Sequence, residues 1–204
     1  MNQQEYLSQI SNNVRPPKAP KPSFFSSAIF KWGLIVVVAI IGIAIFGAVI
    51  SGNKKSVKDM AIALKLHTDG TMAEVKNFQP YIKNSSLRAN AASLNSVLSN
   101  FDSSLVDYMS AKYSYKKGSE AKKAKTKAET AQQALHDELF EAKINGMLDD
   151  IFAHKMAYEI SLFQAEMVAI DKATSDNNLR EILGSPYESL GNLYELLNNF
   201  SEAK

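Results

Sequence analysis

Leu87-Arg-Ala-Asn-Ala-Ala-Ser-Leu-Asn-Ser-Val-Leu-Ser-Asn-Phe-Asp-Ser-Ser-Leu-Val-Asp-Tyr108 is the most regular stretch of the chain. Its large apolar residues, with Ala91, fall at Leu87, Ala91, Leu94, Leu98, Phe101, Leu105 and Tyr108, alternating steps of four and three. Such spacing lays one apolar stripe along a helix and leaves Arg, Asn, Ser and Asp on the other faces, the pattern of a bundle or coiled-coil seam. A stripe of this kind needs other helices to cover it, so the fold class is decided here: all-α.

Working backwards, Asn84-Ser85-Ser86 reads as a turn and N-cap. A first helix before it is expected from Ser56, where Ser-x-x-Asp59 resembles a capping box. Its inner positions are Val57, Met60, Leu64, His67, Thr71, Val75, Phe78 and Ile82. Asp69-Gly70 invites a kink and Pro80 interrupts the pattern.

Further back stands Trp32-Gly-Leu-Ile-Val-Val-Val-Ala-Ile-Ile-Gly-Ile-Ala-Ile-Phe-Gly-Ala-Val-Ile50, without a single charge. As a helix it would reach nearly 30 Å, the thickness of a bilayer core. Residues 28–51 are therefore expected to form a single transmembrane helix, flanked by Lys31 and Trp32 on one side and Lys54 and Lys55 on the other. The run is too long, and its cleavage patterns too poor, for a removed signal peptide, so it is expected to remain as an anchor. Residues 1–27 read as a flexible, Pro-rich tail, with Pro17-x-x-Pro20 favouring a polyproline II spacer. Basic residues in the short N-terminal flank favour a cytoplasmic N-terminus and an outward-facing soluble domain over residues 54–204.

Working forwards, Lys116-Lys117-Gly118-Ser119 is expected to close the second helix, with Gly118 as C-cap. The third starts rich in lysine and alanine and turns apolar at Leu135, Leu139 and Ala142. Residues 147–168 are the most apolar part of the soluble region, and a segment apolar on most of its circumference needs cover on several sides. A hairpin at Asn145-Gly146 supplies that cover. After Thr174–Asn177, a helical piece at 178–183 and a restart at Ser185-Pro186 give a short closing helix lined by Leu190, Leu193, Leu197 and Phe200. The expected architecture is an N-terminal transmembrane helix followed by an up-and-down bundle of four long helices plus a short fifth.

Chemistry is sparse. With no cysteine there are no disulfides, thiolate zinc sites or cysteine nucleophiles. No Gly-rich phosphate loop, Gly-x-Ser-x-Gly or His-Glu-x-x-His occurs, and no histidine lies three residues after a glutamate, as a di-iron bundle needs. If the chain folds back at Asn145, His136 and His154 stand nine residues to either side, with Asp150 one turn before His154. Two histidines and a carboxylate are a conceivable zinc set; the simpler reading is helix-surface polarity, with His67 and His154 partly buried. No catalytic, cofactor or metal residue is expected, and the chain is not read as an enzyme.

Net charge is +2, yet basic residues outnumber acidic ones more than two to one over 53–128, and the reverse holds over 129–204. Lys112, Lys116, Lys117, Lys122 and Lys123 cluster at the expected second hairpin. A short turn after the first helix returns the chain to the end where that helix began. These lysines are therefore expected beside anionic head groups. They lack interleaved aromatics beyond Tyr113 and Tyr115, so nucleic acid is not an expected partner.

Phe24-Phe-Ser-Ser-Ala-Ile-Phe-Lys-Trp32 and Glu138-Leu-Phe-Glu-Ala-Lys-Ile-Asn-Gly-Met-Leu-Asp-Asp-Ile-Phe-Ala-His-Lys-Met-Ala-Tyr158 together resemble uncharacterised single-span membrane proteins with a helical soluble domain from ultra-small, host-dependent bacteria. The resemblance implies the cell envelope and supplies no activity. In plan, though not in motif, the chain is also similar to tethered four-helix sensor domains. The leading expectation is a membrane-anchored bundle with a non-enzymatic interaction role, its partner an envelope or host-surface protein or polymer. The rivals are a ligand-sensing or cargo- or metal-binding bundle, and a cytoplasm-facing tether.

Overall fold

The computed structural model describes residues 56–118 and 122–201. The expected span and tail lie outside the described residues. Among the described residues there are five α-helices and no strand. They are α1 (Val57–Phe78), α2 (Ser85–Tyr113), α3 (Lys122–Ile144), α4 (Leu148–Ala173) and α5 (Asn177–Asn198), with a 3-10 turn at Gln79–Tyr81 after α1. None of these helices is long and apolar enough to cross a membrane.

Local sequence signals set most of the boundaries. Ser56 Oγ accepts from the Asp59 amide at 3.1 Å and donates to the Asp59 carboxylate at 2.8 Å, the expected cap of α1. Asn84 caps α2 by accepting from the Leu87 amide at 3.0 Å. The hairpin at Asn145-Gly146 forms: Gly146 takes φ +72°, Met147 N–H donates to Ala142 O and Gly146 N–H to Lys143 O. This pair of bonds is a Schellman ending, which satisfies carbonyls that a continuing helix would otherwise use. Residues 119–173 are therefore not one long helix.

Two boundaries differ from the sequence reading. α2 stops at Tyr113, where Ser114 adopts a left-handed φ of 51°, and Gly118 lies beyond in a turn. The helix ends early because its apolar stripe is used up, and Tyr115 folds back to be buried. The closing helix is not short. α5 runs unbroken for 22 residues, the same length as α1, with Pro186 inside it. Leu179, Leu183, Leu190, Leu193 and Leu197 are buried on one continuous face through the proline. Their burial outweighs the one backbone hydrogen bond that proline removes.

The principal packing contacts are α1 with α2, α2 with α5, α5 with α4 and α4 with α1. These four helices close a ring in which every neighbour is antiparallel. α3 sits outside the ring, against α1 and α4. The peripheral helix is thus the third, not the fifth. The core is filled by the α2 stripe, by Leu148, Phe152, Met156, Ile160, Phe163, Met167 and Ile170 of α4, and by the α5 leucines.

Chain direction assigns the loops to two ends. Ser56, the 114–118 turn and Thr174–Asp176 share one end, where Asp176 Oδ2 accepts from Tyr108 Oη and faces Lys112 Nζ, each at 3.1 Å. Gln79–Asn84 and Asn145–Met147 share the other. There the buried Asp149 carboxylate accepts from the Lys83 amide at 3.0 Å and the Asn84 amide at 2.7 Å, tying the α1–α2 loop to the first turn of α4.

Candidate functional site

The charged residues that the fold encloses lie mostly on α1. Lys65, Thr68, Thr71 and Glu74 are all buried on this helix, at helical spacing beside Ala61, Leu64, Val75 and Phe78. An enclosed charge is stable only when paired, and each one here is. Toward α2, Lys65 Nζ meets Asp69 at 2.5 Å and Asp102 at 3.4 Å. Burial pushes the Asp102 carboxyl above the usual carboxylate range, against the pull of Lys65. Toward α3, the Glu74 carboxylate meets His136 Nδ1 at 2.8 Å and accepts from Gln132 Nε2 at 3.3 Å.

Toward α4 stands the most developed cluster. His67 Nε2 lies 2.6 Å from Glu159 Oε2 and Nδ1 lies 2.9 Å from Glu166 Oε2. Both ring nitrogens face carboxylates that can only accept, so both must carry protons, and the ring is an imidazolium. It stacks on Phe163 with centroids 4.0 Å apart. Glu159, Phe163 and Glu166 are four and three residues apart on α4, so one helix face supplies both acceptors and the platform. Burial alone would lower the His67 pKa; the hydrogen bonds from Glu159 and then Glu166, with their charges, outweigh it and raise the group from 6.5 to about 9. Because each nitrogen already holds its own carboxylate, the cluster is an ion-paired clamp and has no spare lone pair for a metal.

The residues singled out from sequence are spread apart. His136 is engaged by Glu74, while His154 is exposed and paired within its own helix, Nδ1 lying 2.8 Å from the Asp150 carbonyl oxygen. His136, Asp150 and His154 do not converge, and His154 is not the half-buried residue that the sequence suggested. Among the described residues no group of three or more His, Asp or Glu is arranged to hold a metal ion. Their separation follows from α3 packing between α1 and α4, which turns His136 toward α1. Lys112, Lys116 and Lys117 are exposed at the Ser56 end. Lys112 faces Asp176, and that contact, ahead of the Tyr108 hydroxyl, keeps the Asp176 carboxyl below the usual carboxylate range. Lys122 and Lys123 begin α3 after the undescribed residues 119–121.

The opposite end carries an apolar surface that sequence reasoning missed. Tyr81, Phe140 and Ile144 are respectively 52%, 49% and 69% exposed, values unusual for side chains this large. Lys143 Nζ sits 3.2 Å from the centroid of the Tyr81 ring. Beside them a cleft of about 210 Å³ is lined by Tyr81, Lys83, Lys143, Gly146, Leu148 and Asp149. That is less than the roughly 300–1,000 Å³ of ordinary small-molecule sites, and its one buried acid is already spent on backbone amides. The signal in the sequence was the pair Phe140 and Ile144, one turn apart and out of step with Leu135, Leu139 and Ala142.

No family model, curated protein or solved structure matches the chain. Function must therefore be argued from its own residues.

Proposed function

We infer that the chain is a single-pass membrane protein whose helical bundle faces outward and acts through non-enzymatic interaction at the cell envelope. The observation that carries this reading is the uncharged run Trp32–Ile50, joined by a short basic link to a bundle that begins at Ser56. Covalent connection at Ser56 tethers the bundle by the end that bears Lys112, Lys116 and Lys117, with Lys122 and Lys123 just beyond in sequence. The apolar surface of Tyr81, Phe140 and Ile144 belongs to the other end, in keeping with a contact made away from the tether. Interfaces are enriched in aromatic side chains of this kind and depleted in lysine and glutamate. The charged residues enclosed by the described fold are ion-paired across helix seams, which suits a rigid interaction module better than a reactive site.

Intact cells treated with protease test the reading. Cleavage in the 112–127 segment, with the chain retained in alkaline-washed membranes, is the expected result. Protection in intact cells with cleavage after lysis would place the bundle on the cytoplasmic side, and release by the alkaline wash would remove the anchor. The same lysines provide a finer test against vesicles. Each lysine close to an anionic surface contributes about 1 kcal/mol, fading within a Debye length. Reversing the charge of Lys112, Lys116, Lys117, Lys122 and Lys123 should therefore abolish salt-sensitive binding to anionic vesicles; unchanged binding would mean that this hairpin is an ordinary solvated face.

A further inference from the structure

α3 carries a face that the bundle itself leaves uncovered. From Ala124 to Ala134 no side chain is buried, and only Leu135, Leu139 and Ala142 of the described side chains anchor the helix to the ring. Its outward face continues through Gln133 and Asp137 to the exposed Phe140 and Ile144. Charge along the helix is split. Lys122, Lys123, Lys125 and Lys127 occupy its first half, and Asp137, Glu138 and Glu141 its second.

We propose that the partner of this face is α3 of a second copy of the same chain, laid against it in antiparallel sense. Two identical helices with basic starts and acidic finishes attract when antiparallel, because each lysine-rich half then meets an acidic half. In parallel sense lysines meet lysines, and like charges facing each other are destabilising. The midpoint, Thr130 to Gln133, bears Ala131 and Ala134, small side chains that let two helix backbones approach. Phe140 and Ile144 of each copy fall against the small and aliphatic residues of the partner's first two turns. The 23 residues of α3 give a strip about 34 Å long. That is a modest contact, matched to a concentration-dependent dimer.

This proposal rests on the interaction reading above. It adds a geometric consequence if the anchor is also right. Copies tethered in one surface by their Ser56 ends would present α3 in the same direction. An antiparallel pair therefore joins copies offered from two facing surfaces.

The absence of cysteine makes the test clean. Residues 55–204 form a compact unit with its own core, so the isolated bundle is a valid sample, and pairing is read without the anchor. Thr130→Cys, Gln133→Cys and Ile144→Cys are each made alone at exposed positions and oxidised, with helicity checked by circular dichroism. Antiparallel pairing predicts disulfide-linked dimers from the first two and little from Ile144→Cys, because only residues near a two-fold axis meet their own copies. Lys125→Glu with Lys127→Glu should strip the central cross-link by tenfold or more. Equal self-linking of Ile144→Cys would overturn the antiparallel sense. No cross-link at either central position at high concentration would overturn the second copy as partner. Failure of the protease and alkaline-wash experiments would remove the anchor and leave this result standing.

Discussion

α1 and α2 lie side by side in the ring and are held by different physics. α2 presents Leu87, Leu94, Leu98, Phe101 and Leu105, all buried, and its polar residues point away. α1 turns Lys65, His67 and Glu74 inward or half inward and meets each neighbour with an ion pair: Asp102 on α2, Glu159 and Glu166 on α4, His136 on α3. An apolar stripe is non-directional and tolerates sliding by a turn. A charge buried against one partner does not, since a shift strands it at a cost of several kcal/mol. The difference suggests a division of labour: α2 supplies most of the cohesion, and α1 fixes the register in which three helices meet.

The largest expected effect is on the α2 side. Leu98→Ala should lower the unfolding free energy of the bundle by about 2 to 5 kcal/mol in urea titration, through lost burial and an unfilled cavity. A loss below about 0.5 kcal/mol would mean that the stripe is not the principal seam. On the α1 side, Lys65→Met keeps the volume and removes the cation that Asp69 and Asp102 share. Breaking a buried pair at one partner costs about 3 kcal/mol. Lys65→Met with Asp102→Leu should recover most of that loss, because replacing both halves of a buried pair is often neutral. If the double variant is worse than the single, these charges contribute net stability rather than register. The smallest effect should be a gain. A Cβ at Gly70 would meet Gln132 at an ordinary 3.5 Å, so Gly70→Ala should raise stability by about 0.5 to 1 kcal/mol through helix propensity alone. α1 runs straight through this glycine, with no break.

The contrast also explains what could be read before the structure. The α2 stripe, the capping residues Ser56 and Asn84 and the turn at Gly146 act locally or by simple period, so their residue types announce them. The α1 seam was legible only in its apolar members, Leu64, Val75 and Phe78. Lys65 and Glu74 look like surface residues, because what buries them is a carboxylate or imidazole contributed by another helix. A usable trace did exist for the His67 clamp: Glu159 and Glu166 interrupt the most apolar helix seven residues apart, around Phe163. The peripheral place of α3 was hidden for a related reason. Its weak apolar content was visible, but which helix is left outside a ring depends on how the other four fit together. The length of α5 was misjudged because proline is a local signal, and here tertiary burial overrides it.

The clamp between α1 and α4 offers the most direct test of the claim that charge positions α1. His67 is held at about 9 in the fold, against 6.5 as its ordinary value. Its contribution is fully present below pH 6.5 and is lost as pH rises through 9; the difference corresponds to on the order of 3 kcal/mol. The measurement is the unfolding free energy of the bundle and of His67→Gln at pH 6 and pH 10. Groups common to both proteins cancel in the comparison. The native bundle should lose on the order of 3 kcal/mol more than His67→Gln across that interval, with the two converging at pH 10. Parallel pH profiles, separated by a constant amount, would contradict the account by showing that His67 is not held as a cation between Glu159 and Glu166.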